Sequence, residues 1–321
     1  MLRPTILVTG AGGFIGAILV NALVRQGCEV LAVDRDQHSL ERISRDLRGD
    51  LLRLVCTDIS DSADIVEVAK QPGIAAIVHL AAMHIIPHCE AEPRSTVDVN
   101  IGGLCNVLAA ADQAQLDFVL FASTADVYAP APRPLAEDDP TSAWSVYGAS
   151  KLLGERLVAQ WAAQRASRQA TSVRIFNVYG PGDGNPHVIP DLIEGLRRGG
   201  TISAGNVDAR RDFIHVEDVA ALLCRILETP APPATINAGT GVATSVAEIL
   251  DTLQAIIGRP LPWRCDPAKL RTSDRMHLQA DTARMHALFP GLTPRSLHTG
   301  LSDLLASIGM CRPDPARPVS S

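Results

Sequence analysis

Short apolar runs alternate along this chain with stretches in which apolar side chains recur at every third or fourth position. The runs at 5–9, 29–33, 52–56, 75–80, 118–122 and 172–176 read as strands, and most are apolar enough to be buried on both faces, as strands of a parallel sheet are. The stretches between them, 15–26, 39–48, 61–70, 96–115 and 147–166, read as helices. In the first of these Ile18, Leu19, Ala22 and Leu23 form one stripe, and in the fourth Leu104, Val107, Leu108 and Ala111 do the same. Strand and helix in turn predict an α/β fold, a doubly wound parallel sheet covered by helices. A later strand, Thr235-Ile236-Asn237-Ala238, is expected to return to that part of the chain, and Ser245-Val246-Ala247-Glu248 has the capping-box pattern of a helix start. From 309 onward proline and arginine leave too little apolar content to require order.

Composition narrows what such a fold can do. With 321 residues and 46% hydrophobic content the chain can bury a large core, and its length is that of about two domains. A net charge of −6 argues against a basic face for nucleic acid, so an anionic ligand has to be held by a few local arginines. The seven cysteines are widely spread with no Cys-x-x-Cys pair, and read as reduced thiols. No apolar run approaches the roughly 18 residues of a membrane span, and the first strand begins close to the N-terminus. The expectation is a cytoplasmic protein without leader or anchor, with neither membrane nor nucleic acid as partner.

Between the first strand and the first helix stands Thr9-Gly10-Ala11-Gly12-Gly13-Phe14-Ile15-Gly16. A chain that reverses tightly there and brings bare backbone N–H groups to a helix N-terminus makes a site for a pyrophosphate. Gly10, Gly13 and Gly16 sit at the points that need glycine, with Phe14 and Ile15 inside the turn. The second strand leads into Asp34, about 20 residues on, where a carboxylate accepts ribose hydroxyls and repels a 2′-phosphate, so NAD is the expected cofactor. Arg35 beside it is the one residue that could accommodate that phosphate. Asp58 and Ile59 follow the third strand, and Asp58 reads either as a helix N-cap or as a contact to the adenine amino group. The fourth strand runs into His79-Leu80-Ala81-Ala82, where small residues let backbone approach the cofactor.

The stretch His84-Ile85-Ile86-Pro87-His88-Cys89-Glu90 resembles a metal cluster, but Pro87 disturbs the helix that an i, i+4 histidine pair needs and no second cluster completes it. No metal is expected, and the stretch reads as a loop touching the substrate. Asn100 either faces the surface or core as a plain amide or bridges to the next functional helix. Ser123, Thr124 and Asp126 stand at the carboxyl end of a strand, the edge where such sheets bind ligands. The proline-rich, acidic stretch 130–140, with Glu137, Asp138 and Asp139, reads as a lid or rim. Tyr147 and Lys151 then share one face of a long helix, an arrangement in which an ammonium favours the phenolate of a tyrosine base.

Taken together these residues resemble the extended short-chain dehydrogenases/reductases, in the branch of NAD-dependent sugar-nucleotide epimerases and dehydratases. The motifs that carry the resemblance are Thr-Gly-Ala-Gly-Gly-Phe-Ile-Gly at 9–16, His-Leu-Ala-Ala at 79–82, Ser-Thr-x-x-Val-Tyr at 123–128 and Tyr-Gly-Ala-Ser-Lys at 147–151. Arg-Ile-Phe-Asn-Val-Tyr-Gly-Pro-Gly at 174–182 and Arg-Asp-Phe-Ile-His-Val-Glu-Asp-Val at 211–219 extend it, so that it covers about 5 to 305. The resemblance implies a Rossmann-type domain over 1–177, with 212–245 returning to it, and a smaller C-terminal α/β substrate-binding domain over 178–321. It also implies that Thr124 and Tyr147 bind the reacting sugar hydroxyl while Lys151 holds the nicotinamide ribose. Asn177, His187 and Val188 match where the family lines its nucleotide pocket, and Arg211, Arg271 and Asp274 where it grips diphosphate and ribose. Ser273 and Ala129 replace glycines usual in the family. Leu153, Leu157 and Trp161 on the Tyr147 helix could all be core, and the family pairs two such helices per subunit into a four-helix dimer bundle.

The activity this implies is epimerisation of a nucleotide-diphosphate sugar at carbon 4 through a bound 4-keto sugar. A 4,6-dehydratase and a 4-ketoreductase are the rivals within the family, and a non-catalytic dinucleotide sensor is the rival outside it. Dehydratases that the chain resembles place Asp-Glu or Ser-Glu after the threonine, whereas this chain has Ala125-Asp126, one methylene too short for the base at carbon 5. Asp126 therefore reads either as part of the strand-to-loop turn or as a wall of the substrate pocket.

Overall fold

The computed structural model describes residues 4–47, 50–269 and 275–311. In chain order the elements of the first half are β1 (Thr5–Thr9), α1 (Phe14–Arg25), β2 (Glu29–Asp34), α2 (Gln37–Asp46), β3 (Leu52–Cys56), α3 (Ser62–Ala69), β4 (Ile74–His79), α4 (Ile86–Ala91), α5 (Pro93–Val97), α6 (Gly103–Gln113), β5 (Phe118–Thr124), α7 (Val146–Ala163) and β6 (Gln169–Ile175). The second half adds β7 (Asn177–Tyr179), α8 (Val188–Arg198), β8 (Ile202–Ala204), β9 (Arg210–His215), α9 (Val216–Leu227), β10 (Thr235–Ala238), β11 (Ala243–Ser245), α10 (Val246–Ile257), β12 (Trp263–Cys265), β13 (His277–Leu278), α11 (Ala283–Leu288) and α12 (Leu297–Ser307).

Seven strands form one parallel sheet in the order β10-β6-β5-β4-β1-β2-β3. The strands are buried on both faces because helices cover both. Leu19 and Leu23 of α1 pack with Val219 and Leu223 of α9 on one side. Ile65 of α3, Leu104 and Val107 of α6 and Val158 and Trp161 of α7 pack on the other. The strand order reverses between β1 and β4, so the connections that leave these two paired strands part to opposite sides of the sheet and open a crevice.

The later segments form a second layer over that crevice. Short strands β7, β9, β11 and β13 make a small sheet centred on β9, and β8 pairs with β12. Helices α8, α10 and α12 close over this layer through Ile189, Leu192, Ile249, Leu253 and Leu301. The capping box at the start of α10 is present, with Ser245 and Glu248 bonded reciprocally. Strand β10 joins the main sheet beside β6, as its apolar run leads one to expect.

Three local expectations are corrected. The helix read over 96–115 is a run of α5, a π turn over Asp98–Gly102 and α6, with backbone in the right-handed region across both junctions. Pro87 does not prevent a helix but opens one, because at the first turn its missing N–H would have no partner in any case. The stretch 130–140 is not a lid. Leu135 exchanges backbone hydrogen bonds with Gln279 and Asp281 at 2.9 Å, and buried Glu137 accepts the backbone N–H of Asn237 at 2.9 Å. Asp139 is held by Arg133 at 2.7 Å and Asp138 by Arg284 at 2.6 Å.

Candidate active site

A single cleft of about 840 Å³ runs along the carboxyl edge of the main sheet beneath the second layer. At one end is the glycine turn. Gly10 has φ +70°, and a Cβ there would lie 2.6 Å from the backbone nitrogen of Ala81, so the end of β1 and the chain leaving β4 approach too closely for any side chain. A Cβ on Gly16 would lie 2.1 Å from the Gly10 carbonyl oxygen. Gly13 caps α1 without a side chain, which leaves the first-turn N–H groups facing outward from the helix start.

Asp34 closes this end from β2. One carboxylate oxygen accepts the Gly12 N–H at 2.9 Å and the other accepts Asp36 N–H at 3.0 Å, so the acid braces the turn as well as lining the cleft. Asp58 accepts the Ser60 N–H at 2.8 Å and has Arg35 at 3.9 Å. It is not the helix cap. That position belongs to Asp61, which accepts from Ala63 and Asp64. Ile59 is buried beneath Gly103 of α6.

At the middle of the cleft β5 presents Ser123 and Thr124, and α7 presents Tyr147 and Lys151. The two elements are locked together by buried polar groups. Ser123 donates to Glu155 at 2.5 Å, and Glu155 is gripped by Arg174 of β6 through contacts of 2.9 and 2.8 Å. Ser145 caps α7, accepting Gly148 N–H at 2.9 Å, and Glu90 of α4 accepts Val146 N–H at 2.7 Å. Asn100, in the π turn, donates to Met83 O and Ser150 Oγ at 2.9 Å and accepts Met83 N–H at 2.7 Å. Of its two readings the bridge is the one observed, and it ties the loop after β4 to α7.

Lys151 Nζ donates to the Ala122 carbonyl at 2.8 Å, and burial pushes its pKa down to about 7. Burial, and after it the Asp126 carboxylate, push the Tyr147 pKa above its ordinary value, while the nearby Thr124 hydroxyl works the other way. The Lys151 ammonium is turned to that backbone carbonyl and is itself poorly solvated. Asp126 stands close enough to act on both Tyr147 and Arg275.

The far wall carries Asn177 of β7, His187 and Val188 at the start of α8, and Arg211 of β9. His84 reaches over to this wall, with Nε2 3.0 Å from Asn185 Oδ1 and its ring edge-on to His187. Leu80, Ala81, Ala82, Phe14 and Ile15 line the same cleft. Every sequence-predicted site residue among the described residues is thus brought to one cavity, and Arg271 and Asp274 lie outside them. No group of three or more His, Cys, Asp or Glu side chains among the described residues could hold a metal ion. Sequence reading missed Trp144, whose only signal is its position one residue before the cap of α7, and Arg275, which reaches the site through the pairing of β13 with β9.

A parallel sheet with a glycine turn at its switch point, and a threonine, tyrosine and lysine converging beside it, defines a dinucleotide-dependent enzyme architecture. The chain belongs to the NAD dependent epimerase/dehydratase family, whose model matches residues 6–239. It is 27% identical to a UDP-glucose 4-epimerase of Lactobacillus helveticus, covering 94% of this chain and 95% of the relative. A dTDP-4-dehydro-6-deoxy-D-allose reductase of Streptomyces bikiniensis is 30% identical over 93% of this chain and 94% of its own. Among solved structures, a UDP-glucose-4-epimerase from Stenotrophomonas maltophila with bound NAD and formylated UDP-arabinopyranose superposes with a TM-score of 0.84 at 28% identity, covering 94% and 97% of the two chains.

Proposed function

We propose that this protein is an NAD-dependent 4-epimerase of a nucleotide-diphosphate sugar, with UDP-glucose as the first substrate to test. The observation that carries the reading is the convergence of Thr124, Tyr147 and Lys151 on one cleft with the glycine turn. The turn fits NAD: Gly10 and Gly16 leave space that any Cβ would fill, and the α1 N-terminus offers bare N–H groups. Gly10, Gly13, Phe14, Ile15 and Gly16 would hold the pyrophosphate, Asp34 the adenosine ribose, Asp58 and Ile59 the adenine surroundings, and Leu80, Ala81, Ala82 and Ser123 the path to the nicotinamide. Lys151 would hold the nicotinamide ribose. When bound, NAD supplies the acceptor and donor of the carbon-4 hydride.

The chain's own residues move the proton and the sugar. Thr124 orients the carbon-4 hydroxyl, and Tyr147 Oη takes its proton and returns it to the 4-keto oxygen after the sugar has turned over. His84, Asn177, His187, Val188 and Arg211 hold the nucleotide part while the sugar end rotates. The main sheet with β10 and α9 forms the cofactor domain, and the layer built on β9 forms the substrate domain. Cysteines kept as thiols fit a cytoplasmic setting. No described helix is long and apolar enough to cross a membrane.

Incubation with UDP-glucose in deuterated water tests this. The expected product is the carbon-4 epimer without deuterium at carbon 5, lost in Tyr147→Phe by about a hundredfold or more with fold and NAD binding kept. A 4-keto-6-deoxy product, or carbon-5 deuterium that vanishes in Asp126→Asn, would replace epimerase with dehydratase. Turnover only with added reduced cofactor and a 4-keto sugar would favour the reductase chemistry named for the Streptomyces relative.

A further inference from the structure

Tyr147, Lys151 and Glu155 stand four residues apart on one face of α7, and that face meets the end of β5. Lys151 Nζ donates to the Ala122 carbonyl at 2.8 Å, and the Ser123 hydroxyl donates to Glu155 Oε1 at 2.5 Å. Two successive residues of the strand are thus held from two successive turns of the helix. The next strand residue is Thr124, whose hydroxyl stands near Tyr147. Gly154 lets the helix come this close, since a Cβ there would lie 2.5 Å from Phe121 Cζ.

Glu155 is itself fixed from a third element. Its Oε1 also accepts Arg174 Nε at 2.9 Å, and its Oε2 accepts Arg174 Nη2 at 2.8 Å. Arg174 of β6 is held in turn by the Glu137 carbonyl at 2.8 Å and lies over the Tyr128 ring, 4.6 Å from its centroid. Glu155, Arg174 and Ser123 are all buried, and neither Glu155 nor Arg174 lines the cleft. A buried ion pair is often no better for stability than apolar side chains of the same volume, so its place beside the reacting residues asks for a local reason. Here a carboxylate accepts three donors at once, whereas a glutamine of the same shape turns an N–H against one of them.

We propose that Glu155 is a positioning residue: fixed by Arg174, it holds Ser123 and with it the end of β5, and so sets the separation of Thr124 from Tyr147. The proposal rests on the epimerase reading above. Lys151 has the nicotinamide ribose to hold as well as Ala122, while the Glu155 tie is free of the cleft and keeps the separation constant as the sugar turns over between two poses. A misplacement of about 1 Å between reacting groups can cost about a hundredfold in rate, which gives a buried carboxylate its use at this point.

The test is a double-mutant cycle on the full-length, NAD-loaded protein with Glu155→Gln, Ser123→Ala and both together. One readout is steady-state kinetics on UDP-glucose. The other is the Cζ resonance of Tyr147 in protein labelled with carbon-13 tyrosine, where the chain has three tyrosines and Tyr147→Phe identifies the signal. Glu155→Gln is expected to lower kcat by about tenfold or more, with KM and NAD affinity within about twofold of wild type, and to move the Tyr147 resonance. In the Ser123→Ala background the same substitution should change neither kcat nor the resonance further. Equal effects of Glu155→Gln in both backgrounds, or a change in KM with kcat kept, would overturn the proposal. Should Glu155→Gln lose NAD binding, and with it the sign of a native fold, Ser123→Ala alone decides, because it leaves the Glu155–Arg174 pair intact. A lower kcat and a moved Tyr147 resonance there support the positioning role, and wild-type values of both overturn it. Wild-type protein that leaves UDP-glucose unchanged would overturn that substrate reading, and the resonance cycle then decides the positioning role by itself.

Discussion

His79 is buried at the end of β4, its ring stacked on Phe121 with centroids 6.0 Å apart and its Nδ1 2.7 Å from the Thr9 hydroxyl. Burial, helped by the Lys151 charge, pushes its pKa down from 6.5 to about 3. The unfolded chain thus binds a proton that the folded chain refuses across that window. Stability is full above the ordinary imidazole value and declines as pH falls through it, by at most about 1.4 kcal/mol per unit. His79→Phe is expected to flatten the pH dependence of denaturant midpoints between about 6 and 4, whatever its stability at neutral pH. An unaltered slope would show that other groups set the acid limit. Lys151 acts with the same sign in a higher window: its pKa is depressed from 10.5 to about 7, so its share of stability is gained as pH rises between those values. At this scale the sequence was legible where spacing alone fixes geometry, as for Tyr147 and Lys151 on one helical face. It was silent on what burial does to them, because the Ala122 carbonyl that takes the Lys151 ammonium comes from another element.

Among the elements, the β1–α1 connection is the least tolerant of change. Gly10 combines φ +70° with a would-be Cβ contact of 2.6 Å to backbone, and neither can relax without parting the ends of β1 and β4. Gly10→Ala is expected to lose more than about 1 kcal/mol of stability and to copurify without NAD, as read by thermal unfolding and nucleotide extraction. Retained cofactor at wild-type levels would mean that the turn can shift as a unit. The six main-sheet strands read from the sequence lie within a few residues of their observed positions, since continuous apolar runs have one way to be buried. The short strands of the second layer were not legible as strands. β7, β8 and β11 are three residues each, and it is pairing with a distant partner, not their own pattern, that makes them strands. The 130–140 stretch was misread for a related reason: its prolines and acids look mobile, yet Arg133 pairs with Asp139 inside it and Arg284 and Asn237 hold it from distant parts of the chain.

For the whole molecule, the outward side of the α5–α7 flank bears on assembly. Leu153 of α7 is 47% exposed and Val97 at the end of α5 is 48% exposed, while Trp161 of α7 is buried in the core. Exposed apolar groups on packed neighbouring helices fit the four-helix pairing that the family resemblance implies. We expect a dimer by light scattering after gel filtration, converted to monomer by Leu153→Glu with the circular dichroism spectrum unchanged. A wild-type monomer at micromolar concentration would remove the bundle from the account. The order of the strands has a further consequence, during synthesis. The main sheet opens with Thr5 but receives its edge strand β10, and the α9 that covers α1, only after β7, α8, β8 and β9 have been made. At about 5–20 residues per second a nascent chain spends some seconds with β6 unpaired on one side and the apolar flank of α1 bare. In that interval the ribosome displays an unfinished edge able to recruit a chaperone or a neighbouring nascent chain, and it is sealed when Ala238 emerges.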